Sequence, residues 1–225
     1  MRIPGALEAL REECQAISDV VLPLSEEDFA CPVRRTPAWN VKELLGHMYR
    51  DVERTIVGLR QDAPERPDTD AVSYWRAYDP ADDAADIADR AKLRAASYGA
   101  GRELAIAWDD MWRRAMELAE AAPSTRPILT WAPVLTLDDF LKTRVVEITV
   151  HGLDLADALG RPPWATDDGV RVTREVLVGC LGQEPPEGLG WDDVALLDKG
   201  TGRSALTQDE RATLGPLAGR FPLLS

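Results

Sequence analysis

The run TLDDFLKTRVVEITVHGLDLADALG, residues 136–160, decides the fold class. Thr136 offers a hydroxyl N-cap, and Asp138 and Asp139 suit the positive end of a helix dipole. Gly160, followed by Arg161-Pro162-Pro163, is a strong stop. Between those ends Leu137, Phe140, Leu141, Ile148, Leu155 and Leu159 recur at the spacing of an amphipathic α-helix. Glu147 and His151 are four residues apart, so they share one edge of that stripe on successive turns. Arg144 falls on the stripe itself, and Asp154 extends the polar edge by a further turn. An Arg-Glu-His-Asp ladder beside an apolar stripe is unusual for a helix whose role is purely structural.

Working outward, the same periodicity predicts a helix over 4–22 and another from Asn40 to about Arg60, opened by a capping box from Asn40 to Glu43. An Ala-rich helical segment over 81–122 is interrupted at Tyr98-Gly99-Ala100-Gly101, which predicts a kink or break. A shorter helix follows near 167–182. The connection 24–39 is rich in Pro and Arg. The connection 61–80 carries Tyr74, Trp75 and Tyr78, and reads equally as a lid over a site or an ordered surface loop. After residue 184 the pattern changes: Val194-Ala-Leu-Leu197 before Lys-Gly-Thr-Gly reads as a strand entering a turn, and Thr207 caps a short last helix. The expected class is mainly α, a helical bundle over 1–183 with a short α/β C-terminal extension over 184–225.

Composition narrows the function. The chain has 225 residues, 39 acidic against 26 basic, for a net charge of -13, which disfavours nucleic acid. No apolar run approaches the roughly 20 residues of a membrane span. The charged first residues lack the core of a signal peptide, and Cys14, Cys31 and Cys180 form no CxxC, so a reducing cytoplasm is expected. GxSxG, Walker and dinucleotide-binding motifs are absent. Any nucleophile–histidine triad would need His47 or His151, the only two histidines, and nothing marks Cys31 as activated.

Both histidines lie in the two best-defined helices. Glu147 and His151 can chelate a divalent metal, and His47 from the second helix would complete three ligands with an open position. His47 lies on its helix flank, nearer Glu43, Asp51 and Arg54 than the stripe, which suits a groove-edge site. The alternative is a plain Glu147–His151 helical pair with His47 partly exposed. Spacing alone does not separate the two.

The stretch CPVRRTPAWNVKELLGH, residues 31–47, resembles the N-terminal signature of the mycothiol-dependent maleylpyruvate isomerase family, with a tryptophan, a helix start, a leucine pair and a histidine. The stretch from Arg144 to Gly160 is similar to that family's second signature, and the resemblance spans about 5–180. It implies a DinB-like four-helix bundle, often dimeric, with a divalent metal held by His47, Glu147 and His151. Zinc is the usual assumption, and nickel or another metal is compatible. It also implies a low-molecular-weight thiol, mycothiol, used as a metal-activated thiolate on a small electrophile, with isomerisation or S-conjugation as the outcome. On this reading Arg144 orients Glu147, meets an anionic substrate or forms a salt bridge, and Asp154 is an acceptor behind His151. The segment around Trp75 would close over the substrate. The isomerase's C-terminal domain supplies a catalytic arginine; Arg203 and Arg220 are this chain's tail arginines, and the sequence leaves open which of them, if either, corresponds to it. A metal-activated-water hydrolase and a non-catalytic metal-binding module are the alternatives.

Overall fold

The computed structural model describes residues 5–36, 39–62, 66–78, 80–131 and 133–224, the side chains of 80–83 excepted. The first helix, α1 (Ala6–Val21), begins two residues inside the expected span, whose residue 4 lies outside the described residues. Its Leu10, Cys14, Ile17 and Val21 are fully buried. A single turn, α2 (Glu26–Phe29), interrupts the connection that sequence reads as a loop; Ser25 and Asp28 form its capping box. The helix α3 (Val41–Arg60) starts at the expected box, with Glu43 N on Asn40 Oδ1 and Asn40 N on Glu43 Oε2, each at 2.9 Å.

The aromatic connection folds into α4 (Ala71–Ala77), capped by Asp70, and the Ala-rich segment splits into α5 (Pro80–Ala96) and α6 (Gly101–Glu120). The break falls at the predicted glycines. A small antiparallel hairpin follows, β1 (Pro127–Leu129) and β2 (Val134–Thr136), pairing Ile128 with Leu135. It leads directly into α7 (Leu137–Ala158), where Thr136 caps Asp139 N.

Helices α1, α3, α6 and α7 close the bundle: α1 packs on α6 and α7, and α3 packs on the same two. Helix α5 flanks α3. Helix α8 (Asp167–Leu181) flanks α1 and α7, and α4 bridges α7 and α8. Surrounded by four helices, α7 is buried nearly all round, including Arg144, His151 and Asp154. Its polar edge therefore lies inside the protein, a burial that one helix's periodicity does not reveal.

The mainly α class holds, but the strand expected at 194–197 does not form. Those residues lie in α9 (Asp193–Gly200), whose start is set by Asp192 accepting from Ala195 N at 2.7 Å. A four-residue apolar run carries no period that tells strand from helix, and here the cap decides. Helix α10 (Gln208–Leu214) begins at the predicted cap Thr207, which forms a capping box with Glu210, and 3-10 turns cover Glu187–Leu189 and Gly215–Arg220. Among the described residues the extension carries no strand. Leu223 and Leu224 N–H both donate to Gly200 O, at 2.7 and 2.9 Å, which returns the end of the chain to α9. No helix of the described residues is long and apolar enough to cross a membrane.

Candidate metal centre

The capping box sets the start of α3, and two turns later His47 emerges toward α7. It is buried rather than at a groove edge, because the loop before α3 lays Trp39 over it: the rings stack at 4.7 Å between centroids with planes 25° apart. Gly46 permits this depth. A Cβ there would lie 2.8 Å from Ala91 O and 3.1 Å from Ala95 N of α5, so any side chain would hold the two helices apart.

His47 and His151 rings meet edge to face at 4.7 Å, and both turn Nε2 toward Glu147. The Nε2–Oε2 separations are 3.7 Å for His47 and 3.4 Å for His151. Ligand atoms of His47, Glu147 and His151 all lie within 4.8 Å of one another. A tetrahedral site with bonds of about 2.0 Å has edges of about 3.3 Å, so these three groups fit a divalent cation with small side-chain adjustments. Two imidazoles and one carboxylate also form a donor set that suits zinc and its neighbours.

Each histidine has an aspartate against its ring, behind His151 but at the Glu147-facing edge of His47. His151 Nδ1 lies 2.9 Å from Asp154 Oδ2. A carboxylate only accepts, so Nδ1 carries a proton toward Asp154, and Nε2 is the ring atom on the Glu147 side that could bind a metal. Asp154 is completely buried and also takes Arg203 Nη2 at 3.0 Å and Arg35 Nε at 3.2 Å. Burial alone would raise its pKa; hydrogen bonding and charge from His151, then Arg203, more than offset this and hold it below the usual carboxylate range. Arg35 also reaches Asp198 of α9.

Asp51 instead sits on the same edge of His47 as Glu147, with Oδ2 2.9 Å from Nε2. Its other oxygen takes Arg144 Nη1 at 3.1 Å. Arg144 is thus a buried cross-link from α7 to α3 through Asp51, in an ion pair but with a different carboxylate from Glu147. Without a cation, burial lowers the His47 pKa, but the charges and hydrogen bonds of Asp51 and Glu147 outweigh it and raise the pKa to about 10. Burial likewise pushes the Glu147 carboxyl up, and the two histidines bring it well below its ordinary value. Two carboxylates on one imidazole edge require positive charge there, from a proton or from a metal.

The triad opens on a cavity of about 350 Å³, walled by Trp39, Trp75, Ile87, Val146, Val150 and Leu224, with Thr201 and Arg203 as polar members. The aromatic segment expected to be lid or surface is part of this wall, since Trp75 and Tyr78 both line it. Of the tail arginines, Arg203 reaches the cavity, whereas Arg220 donates to Leu181 O at the end of α8. Cys31 donates to Glu27 O and is not among the lining residues. Arg35 has no local sequence signal as a site residue, since its partner Asp154 lies 119 positions away; Asp51 had one in its four-residue spacing from His47, but its pairing with Arg144, 93 positions away, did not.

Compared with curated proteins and with solved structures, the chain gives no match. Residues 10–156 match the model of the mycothiol maleylpyruvate isomerase N-terminal domain, a span that includes His47, Glu147, His151 and Asp154 and ends before Arg203. With well over half its length matched, the chain belongs to the mycothiol maleylpyruvate isomerase N-terminal domain family.

Proposed function

We propose that this protein is a metal-dependent enzyme that uses a low-molecular-weight thiol, mycothiol, to isomerise or conjugate a small electrophile. The observation that carries this reading is the convergence of His47 Nε2, His151 Nε2 and Glu147 Oε2 on the wall of a largely apolar cavity. A divalent cation of the zinc type, held by these three residues, would lower the pKa of a thiol at its open position.

The chain's own residues have separate tasks. Asp154 fixes the tautomer and ring plane of His151, while Asp51, itself held by Arg144, adds a second carboxylate beside Glu147 at the Nε2 edge of His47. Trp39 covers His47 and keeps water from that face. The apolar wall receives the carbon skeleton of an organic substrate, a lining that favours thiol chemistry on such a molecule over hydrolysis by activated water. In this reading residues up to 183 carry the metal ligands, and 184–225 is an extension that closes the cavity through Thr201, Arg203 and Leu224.

Metal content of the wild type and of His151→Ala is the first test, followed by thermal stabilisation and thiol-transfer assays with mycothiol against other thiols. Stoichiometric metal in the wild type, its loss in the variant and mycothiol-dependent turnover are expected. Wild-type protein without bound metal would end the proposal, and turnover independent of any thiol would replace it with a hydrolase.

A further inference from the structure

A second cavity, of about 250 Å³, touches the triad from its other side, sharing His47, Glu147, Trp75 and Tyr78 with the apolar one. Its wall is different in kind. Arg50, Arg54, Arg90 and Arg144 all line it, in a protein whose net charge is -13. Two of the four are committed: Arg144 to Asp51 and Arg90 to Asp86. Arg50 and Arg54 have no hydrogen-bond or ion-pair partner among the described residues. They are four apart on α3, an arrangement in which like charges repel. Arg50 is only partly exposed, and burial together with Arg90, Arg54 and Arg94 lowers its pKa, only Asp51 acting in the opposite sense among the main influences. Asp51, Asp86 and Glu147 also line the cavity, but Asp51 and Asp86 are taken by Arg144 and Arg90, so the half-buried Arg50 and the exposed Arg54 are left with guanidinium donors suited to an oxyanion.

The larger cavity of about 440 Å³ under Arg76 and Arg220 does not compete for this role. Those guanidiniums already donate to Gly179 O and Leu181 O at the negative end of α8, which disfavours an anion.

We propose that Arg50 and Arg54 form an oxyanion subsite beside the metal ligands, holding a carboxylate or phosphate group of one reacting molecule while its carbon skeleton extends past Glu147 into the apolar cavity. The proposal deepens the enzyme reading and rests on it for its catalytic meaning. The anion itself is recognised by the arginines alone. Planar guanidinium donors pair with either oxyanion through two parallel hydrogen bonds, so both sources share one chemistry.

The test is calorimetric titration of the full-length, metal-loaded protein with succinate and, separately, with inorganic phosphate. Wild type, Arg50→Gln/Arg54→Gln and Arg114→Gln are compared; Arg114 is an exposed arginine of α6 that pairs with Glu117. The double variant should bind the preferred anion at least about tenfold more weakly, as expected for lost charge-assisted hydrogen bonds. The control should stay within about twofold, as a screened surface charge does. Tighter succinate identifies a carboxylate ligand, and tighter phosphate a phosphate-bearing one. The anion should also raise the melting temperature of the wild type and not of the double variant, which separates lost binding from lost folding. No saturable binding in the wild type, or equal weakening in double variant and control, overturns the subsite. Metal content measured on the same samples keeps the two ideas apart: metal without anion binding removes only the subsite, and anion binding without metal removes only the enzyme reading.

Discussion

Replacing Asp154 by Asn tests how the metal ligands are held. Asp154 is fully buried and joins three segments: Arg35 before α3, His151 on α7 and Arg203 after α9. Asparagine keeps the shape and one acceptor oxygen but removes the charge from between two guanidiniums. Stripping one partner from a buried pair costs about 3–5 kcal/mol. Here Arg35 keeps Asp198 and Arg203 keeps Thr201 O, and both arginines retain some exposure to water, so the lower end, about 3 kcal/mol, applies. For a chain of this size that is a fall of roughly 6–12 °C in melting temperature. The second effect is on the metal. With a neutral amide in place of the carboxylate behind Nδ1, the His151 ring is held less firmly as a metal ligand, and metal affinity should fall about 10–100-fold. Thermal unfolding of metal-free protein measures the first effect, and competition against a chelator of known affinity measures the second. If the metal-free variant melts with the wild type, the ion-pair reasoning is wrong. If it melts lower but holds metal within about twofold of the wild type, Asp154 anchors the tail and does not tune His151.

Two further outcomes follow from buried features. Glu13 is fully buried, accepts from Thr166 N and Oγ1, and has its pKa raised from 4.5 to about 7, by burial above all. Between those values the native state keeps a proton that the unfolded chain has released, so this group makes stability fall as pH rises, by up to about 3 kcal/mol above pH 7. Glu13→Gln should therefore match the wild type in urea melts near pH 4.5 and exceed it at pH 8; parallel profiles would disprove the assignment. Gly46→Ala gains about 1 kcal/mol of helix propensity. It also places a methyl against backbone atoms of α5, for which overpacking costs about 1–3 kcal/mol. Net destabilisation and weaker thermal protection by a bound anion are expected, because Ile87 and Arg90 move with α5; protection equal to that of the wild type would show that α5 accommodates the methyl.

The starts of α3, α7 and α10 were legible because their capping residues lie three positions from the groups they cap, entirely within local sequence. The break before α6 was legible from Gly99 and Gly101. The missed elements are short. The capping box of α2 and the Asp70 cap of α4 are present in sequence, but four and seven residues carry too little periodicity to stand out from loop. The three-residue strands of the hairpin have the same weakness. At the site, Glu147, His151 and Asp154 were readable as one ladder, and His47 as a histidine in a second helix. That Arg144 pairs with Asp51 and not with Glu147 was not readable, since the choice depends on which face of α3 meets α7.

By itself the sequence determined a mainly α, acidic chain with both histidines placed in capped helices and two carboxylates, Glu147 and Asp154, each a single turn from His151. Helix period and capping are local, acting over three or four residues, so one chain without any partner displays them. The tertiary structure decided that α7 is surrounded, that Asp51 and Glu147 share one edge of His47, and that Arg203 closes on Asp154 from 49 residues away. Those contacts arise from helix packing and the path of the tail, where burial energy is summed over the whole bundle and no short stretch encodes the outcome.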